Sequence, residues 1–258
     1  MSEQEQTGEE GGQGWPFDGV DQSLAKRMQQ HMEEVRVLSV DERTAAARRV
    51  GEIFRRAIDL LTATPAPPEV LAEVGELMQT VVSRLEGYGD NRRYEGLAEA
   101  SGLGHDRAHF DWSPLLGASN PLAPPLVLDV EGDMIVGRGR FGAAYEGPPG
   151  CVHGGYVAAA FDEVLGLTQS LSGQVGMTGT LTVKYRRPTP LHTDLRWEGR
   201  LESVSGRKVF TSSVVKAGDE VLAEATGLFV TVSPERFAAL AALRERHAQN
   251  AEAEDQPR

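Results

Sequence analysis

The chain has 258 residues, 40% of them apolar, 25% charged and 6% aromatic, the composition of a globular protein and not of a disordered chain. Its formal net charge of −12, from 26 Lys and Arg against 38 Asp and Glu, excludes an evenly basic surface that binds nucleic acid by neutralising phosphates. The one cysteine, Cys151, cannot close an intramolecular disulfide, and no run approaches the roughly 18 apolar residues of a membrane span.

Residues 1–20 are rich in Glu, Gln and Gly and are expected to form a disordered acidic tail. Met1 to Glu5 has neither the basic nor the apolar region of a secretory signal, which points to a cytoplasmic protein. Residues 21–90 read as a helical N-terminal region. A first amphipathic pattern runs through Leu24, Met28, Met32, Val35 and Leu38, and Ser39-Val40-Asp41-Glu42 has the spacing of a capping box for a second helix. That helix sets Val50, Ile53, Phe54, Ala57, Ile58 and Leu61 on one face, which is expected to be the buried one. A third repeats apolar residues from Val70 to Leu85 and stops at Gly87. These stripes fit either a packed bundle or a partner-binding module, and packing is the expectation.

Residues 91–124 form an irregular connection with scattered prolines; His105 and His109 in it have the i,i+4 spacing of metal ligands but no third strong ligand nearby, so a solvated segment is expected. After Pro125 the period changes from helical to alternating. Residues 126–130 and 134–138 predict a hairpin around Glu131-Gly132-Asp133, and His153 to Leu171 predicts one helix that is apolar nearly all round and so buried. Four strands are expected at 177–187, 195–204, 208–216 and 221–232, the second alternating Leu195, Trp197, Gly199 and Leu201 with charged residues. Residues 233–258 read as a polar C-terminal tail that opens with a short helix. The negative charge is uneven: residues 1–120 carry −9, residues 121–232 only −2. The nearly neutral segment is where an anionic substrate can approach.

The chemistry concentrates in Gly147-Pro148-Pro149-Gly150-Cys151-Val152-His153-Gly154-Gly155-Tyr156. The first turn of a helix leaves N–H groups unpaired, and glycines let a ligand oxygen come close to them, so His153-Gly154-Gly155 is a candidate oxyanion site. Asp162 and Glu163 stand in mid-helix, where an ionised carboxylate is costly unless it is paired, exposed or catalytic. Gly155 and Asp162 face nearly the same way but lie about 10 Å apart along the axis. A two-fold dimer, pairing the helix mouth of one subunit with the Asp of its mate, brings both to one carbonyl. Cys151 beside His153 suggests a Cys–His nucleophile, but a lone cysteine is more often inert.

His153-Gly154-Gly155, Asp162 nine positions on, Met177-Thr178, the strand Leu181 to Leu191, Gly206-Arg207-Lys208 and Glu224-Ala225-Thr226-Gly227-Leu228-Phe229 resemble the hotdog-fold acyl-CoA thioesterases, in particular the PaaI-like branch. The likeness covers about residues 125–232. It implies an α+β hotdog fold, a long central helix wrapped by a curved antiparallel sheet and preceded here by the helical region, in a homodimer or dimer of dimers. It also implies acyl-CoA hydrolysis without metal or redox cofactor, with Asp162 as general base or nucleophile and the Gly155 N–H as oxyanion donor. His153 would shape the oxyanion end, and Thr178, on the partner subunit's strand, would hold the water or the carboxylate. Glu163 is the rival base. Arg186, Arg187, Arg207, Lys208 and Lys216 are basic groups available to coenzyme A phosphates. Two other functions stay open: an enoyl-CoA hydratase or dehydratase, and a non-catalytic acyl-CoA-binding or scaffold protein.

Overall fold

The computed structural model describes residues 22–37, 41–88, 111–174 and 176–233. The expected acidic and C-terminal tails, most of the irregular connection, and the His105/His109 pair lie outside the described residues.

Helix α1 (Gln22–Val37) rests on the first strand of the sheet, with Ala25 buried. Helix α2 (Glu42–Ala63) is capped by Asp41, whose carboxylate accepts from the Thr44 N–H at 2.8 Å. The cap is thus two residues later than the expected Ser39, and Glu42 is the first helical residue. Helix α3 (Pro68–Glu86) begins with proline at its first position and ends at Gly87 as expected.

The expected buried face of α2 is wrong. Val50, Ile53 and Leu61 are 46%, 58% and 60% exposed, and the helix docks by the opposite face, centred on Gly51. A Cβ on Gly51 would lie 2.8 Å from the carbonyl oxygens of Ala118 and Ser119, so only glycine allows this approach. Around it Arg48 makes paired bonds of 2.8 and 2.9 Å to the buried Asp111 carboxylate. Arg55 donates to the carbonyls of Ala118 and Asn120, and Asp59 accepts the Ala143 N–H at 2.5 Å. Polar groups with fixed partners, and not the apolar stripe, choose the docking face.

The remainder is one six-stranded antiparallel sheet and one helix. Strands β1 (Val127–Glu131), β2 (Met134–Gly139), β3 (Gly176–Tyr185), β4 (Leu195–Ser205), β5 (Lys208–Ala217) and β6 (Glu220–Thr231) pair in the order β1-β2-β4-β5-β6-β3. Helix α4 (Gly154–Gln169) lies on the sheet, packing Val157, Ala160, Phe161, Val164 and Leu165 against strands β2 to β6. Trp197, Phe141, Phe229 and Ile135 complete the core. Glycine in the strands permits the close approach: a Cβ at Gly199 would run into the Thr168 hydroxyl, and one at Gly137 would meet the Val164 side chain at 3.0 Å.

One feature differs from expectation. Helix α4 is not buried all round, because Gly155, Tyr156 and Asp162 stand exposed along one side. Strand β3, paired only to β6, is exposed over most of its length, Met177 by 42% and Tyr185 by 54%.

Candidate active site

The mouth of α4 is built by a tied loop. Gly150 takes φ 72° after Pro148 and Pro149, and its N–H donates to the Glu146 carboxylate at 2.6 Å. Backbone bonds run from the Gly147 N–H to the Cys151 carbonyl, from the Val152 N–H to the Thr189 carbonyl and from the His153 N–H to the Tyr145 carbonyl. A Cβ on Gly147 would lie 2.7 Å from the His153 Cα, so the loop folds back on the histidine only with glycine there. Tyr145 belongs to a 3-10 turn, Ala143–Tyr145, and its ring meets Tyr156 edge-on at 4.9 Å and Phe141 at 5.3 Å. Because Asp59 of α2 holds the Ala143 N–H, the helical region braces the mouth of α4.

His153 is the N-cap of α4, and its Nδ1 accepts the Gly155 N–H at 3.0 Å. The expected oxyanion donor is therefore occupied by the histidine, which does the structural work of a cap. The same bond occupies the His153 Nδ1, and among the described residues no hydrogen bond joins Cys151 to His153 as nucleophile and base. The Tyr185 hydroxyl donates to the Gly154 carbonyl at 2.8 Å, joining β3 to the helix mouth.

Two turns along α4, the Asp162 carboxylate accepts a bond of 2.9 Å from the Thr178 hydroxyl. Both residues belong to one chain, so Thr178 accompanies Asp162 on whichever subunit supplies it. A register shift in β3 between Thr178 and Thr180 lies at this point, the kind of irregularity that re-aims a strand side chain. Glu163 points elsewhere: it is largely buried and accepts from the Ser113 hydroxyl at 3.4 Å. Burial, with the neighbouring Asp162 charge adding to it and the Ser113 bond opposing, pushes its carboxyl up to about 7. The two mid-helix carboxylates thus separate, Asp162 on the open face and Glu163 turned inward to the 111–120 segment.

Most of the basic candidates already have partners. Arg186 and Arg187 pair with Glu224 and Glu220 at 2.9 Å, Lys216 with Glu198 at 2.7 Å, and Arg207 donates to the Thr231 carbonyl. Among the described residues only Lys208 of the five has no such contact. Sequence reasoning missed Tyr185 and Ser113. Tyr185 sits inside a recognised strand, whereas Ser113 lies 50 residues upstream of Glu163 with no local signal. No group of three His, Cys, Asp or Glu that could hold a metal occurs among the described residues.

Residues 149–224 match the family profile of the Thioesterase superfamily. The chain is 41% identical over 96 residues to acyl-coenzyme A thioesterase THEM4 of Xenopus laevis, an overlap of 36% of this chain and 43% of that protein. To the Bos taurus protein of the same name it is 38% identical over 97 residues, 37% of this chain and 40% of that one. The chain thus spans about two fifths of the length of these curated relatives. The crystal structure of RHA08564, a thioesterase superfamily protein, is 34% identical and superposes with a TM-score of 0.63, covering 71% of this chain and 90% of its own. That share exceeds what residues 125–232 provide, so the likeness extends beyond the sheet and its helix. With its central helix wrapped by an antiparallel sheet, the chain has the hotdog fold and belongs to the thioesterase superfamily.

Proposed function

We propose that the chain hydrolyses acyl-CoA thioesters to a free carboxylate and coenzyme A. The observation that carries this reading is the exposed Asp162 carboxylate held by Thr178 at 2.9 Å, on the same side of the helix as Gly155 at the His-Gly-Gly mouth. The match to relatives named acyl-coenzyme A thioesterases supports the substrate class.

Asp162 takes a proton from water as its oxygen attacks the thioester carbonyl. The carbonyl oxygen becomes an oxyanion and takes over the Gly155 N–H from His153 Nδ1; one such donor is worth about 2.7–4 kcal/mol. The tetrahedral intermediate then collapses, the C–S bond breaks, and the leaving thiolate takes the proton held by Asp162. The products are a carboxylic acid and coenzyme A thiol. Gly155 and Asp162 are about 10 Å apart along one helix, so two subunits meeting across their exposed α4 faces and β3 edges supply one half-site each. Glu163, buried against Ser113, is not the base.

Free-thiol release over short, long and aryl acyl-CoAs tests this. Asp162→Asn is expected to lose turnover while Glu163→Gln retains it. A wild type inactive on the whole panel, or an Asp162→Asn variant at full rate, overturns the reading.

A further inference from the structure

Asp59 is the point at which the helical region reaches the mouth of α4. Its carboxylate accepts the Ala143 N–H at 2.5 Å, at the start of the 3-10 turn Ala143–Tyr145. That turn cannot cap itself, because the residue before it, Gly142, has no side chain; a carboxylate 84 positions earlier does the capping. Gly142 has φ −90°, which any residue adopts, so glycine is needed there for space: a Cβ would run into the Asp59 carboxylate, 2.9 Å from its Cγ.

Two hydrogen bonds lead from the turn to the proposed oxyanion donor. The Tyr145 carbonyl accepts the His153 N–H at 2.8 Å, and His153 Nδ1 accepts the Gly155 N–H at 3.0 Å. A second attachment from α2 reaches the same tyrosine. Arg55 holds the carbonyls of Ala118 and Asn120 at 2.9 Å, the Asn120 side chain accepts the Leu122 N–H at 3.0 Å, and the Leu122 carbonyl accepts the Tyr145 hydroxyl at 2.8 Å. Arg55 and Asp59 stand one turn apart on α2, so one helix face fixes Tyr145 by its backbone and by its ring. The ring in turn packs on Tyr156 in the first turn of α4. When an oxyanion takes the Gly155 N–H, the His153 cap bond is given up, and the first turn of α4 must then be held by groups outside it.

We infer that Asp59 is a positioning residue for the reaction: by capping the turn that carries Tyr145, it sets where the Gly155 N–H points. The inference rests on the proposed hydrolysis and places a determinant of its rate outside residues 149–224, the segment that matches the family. A misplacement of about 1 Å at a reacting centre costs about 100-fold in rate.

The test uses the full chain and two readouts, steady-state hydrolysis of acyl-CoA and the Gly155 amide resonance in nitrogen-labelled protein. Asp59→Ala is expected to lower kcat by about 10- to 100-fold with KM little changed, and to shift the Gly155 resonance. Asp59→Asn keeps an acceptor oxygen and should restore most of both. Gly142→Ala expels the carboxylate and should reproduce the Asp59→Ala loss. Arg48→Ala loosens the docking of α2 without touching the turn, so it should lower stability while kcat and the Gly155 resonance stay in place. An Asp59→Ala variant that behaves like Arg48→Ala, or an Asp59→Asn variant as impaired as Asp59→Ala, overturns the inference. A wild type that turns over no acyl-CoA overturns the hydrolysis instead, and the Gly155 resonance then decides by itself whether Asp59 sets the helix mouth.

Discussion

Replacing Glu163 by Gln probes how far the interior of α4 tolerates a charge. In the folded protein burial, reinforced by Asp162, raises this carboxyl from 4.5 to about 7. The folded state therefore holds the proton more tightly than the unfolded chain, and its stabilising effect is complete below pH 4.5. Between pH 4.5 and 7 the unfolded chain ionises while the native carboxyl resists, so stability falls as pH rises and levels off above 7. The total loss is about 3 kcal/mol, at 1.36 kcal/mol per pH unit. Gln keeps an oxygen for the Ser113 hydroxyl and carries no charge at any pH. The variant should gain on wild type by about 1 kcal/mol at pH 5 and about 3 at pH 8. Glu131, Glu198 and Glu224, held below the usual carboxylate range chiefly by hydrogen bonds from Arg196, Lys216 and Arg186 respectively, contribute equally to both proteins and cancel. Urea denaturation at intervals from pH 5 to 8 measures the difference. A difference that is flat with pH, or that grows toward acid, refutes the buried-carboxyl argument.

Thr178→Val removes the hydroxyl bonded to Asp162 and should lower kcat on acyl-CoA by about 10- to 100-fold, the worth of a hydrogen bond to a charged group, with thermal stability little changed. Arg48→Ala strands the buried Asp111 carboxylate; we expect a loss of about 2 kcal/mol by chemical denaturation, less than a fully buried pair costs because Arg48 is a third exposed. Gly199→Ala forces a methyl into the Thr168 hydroxyl at the α4–β4 contact and should cost about 1–3 kcal/mol, read as a lower Tm. A silent Gly199→Ala variant would mean that helix and sheet do not approach as closely as described.

Much of the fold is readable from local pattern. The alternation of Leu195, Trp197, Gly199 and Leu201 corresponds to an observed strand with those residues buried, and the change of period after Pro125 marks where helix gives way to sheet. The His-Gly-Gly motif lies at the start of α4, as the Pro-Pro-Gly break before it suggests. The α2 face was misread because apolar periodicity indicates that a face wants cover without indicating where the cover lies. Gly51, Arg48, Arg55 and Asp59 won the contact with the sheet domain through a close approach and fixed polar partners drawn from residues 111–143.

The sequence by itself determined the elements, their order and the residues able to carry chemistry, since helix caps, glycine turns and strand alternation depend on neighbours a few positions away. Only the tertiary structure decided what those residues do. It set Thr178 on Asp162 within one chain, placed the His153 imidazole on the Gly155 N–H, and turned Glu163 toward Ser113, where burial holds its proton. Charge state and hydrogen-bond partnership depend on whatever lies within a few ångströms. In this chain those atoms come from positions 16 and 50 residues away as readily as from the next turn.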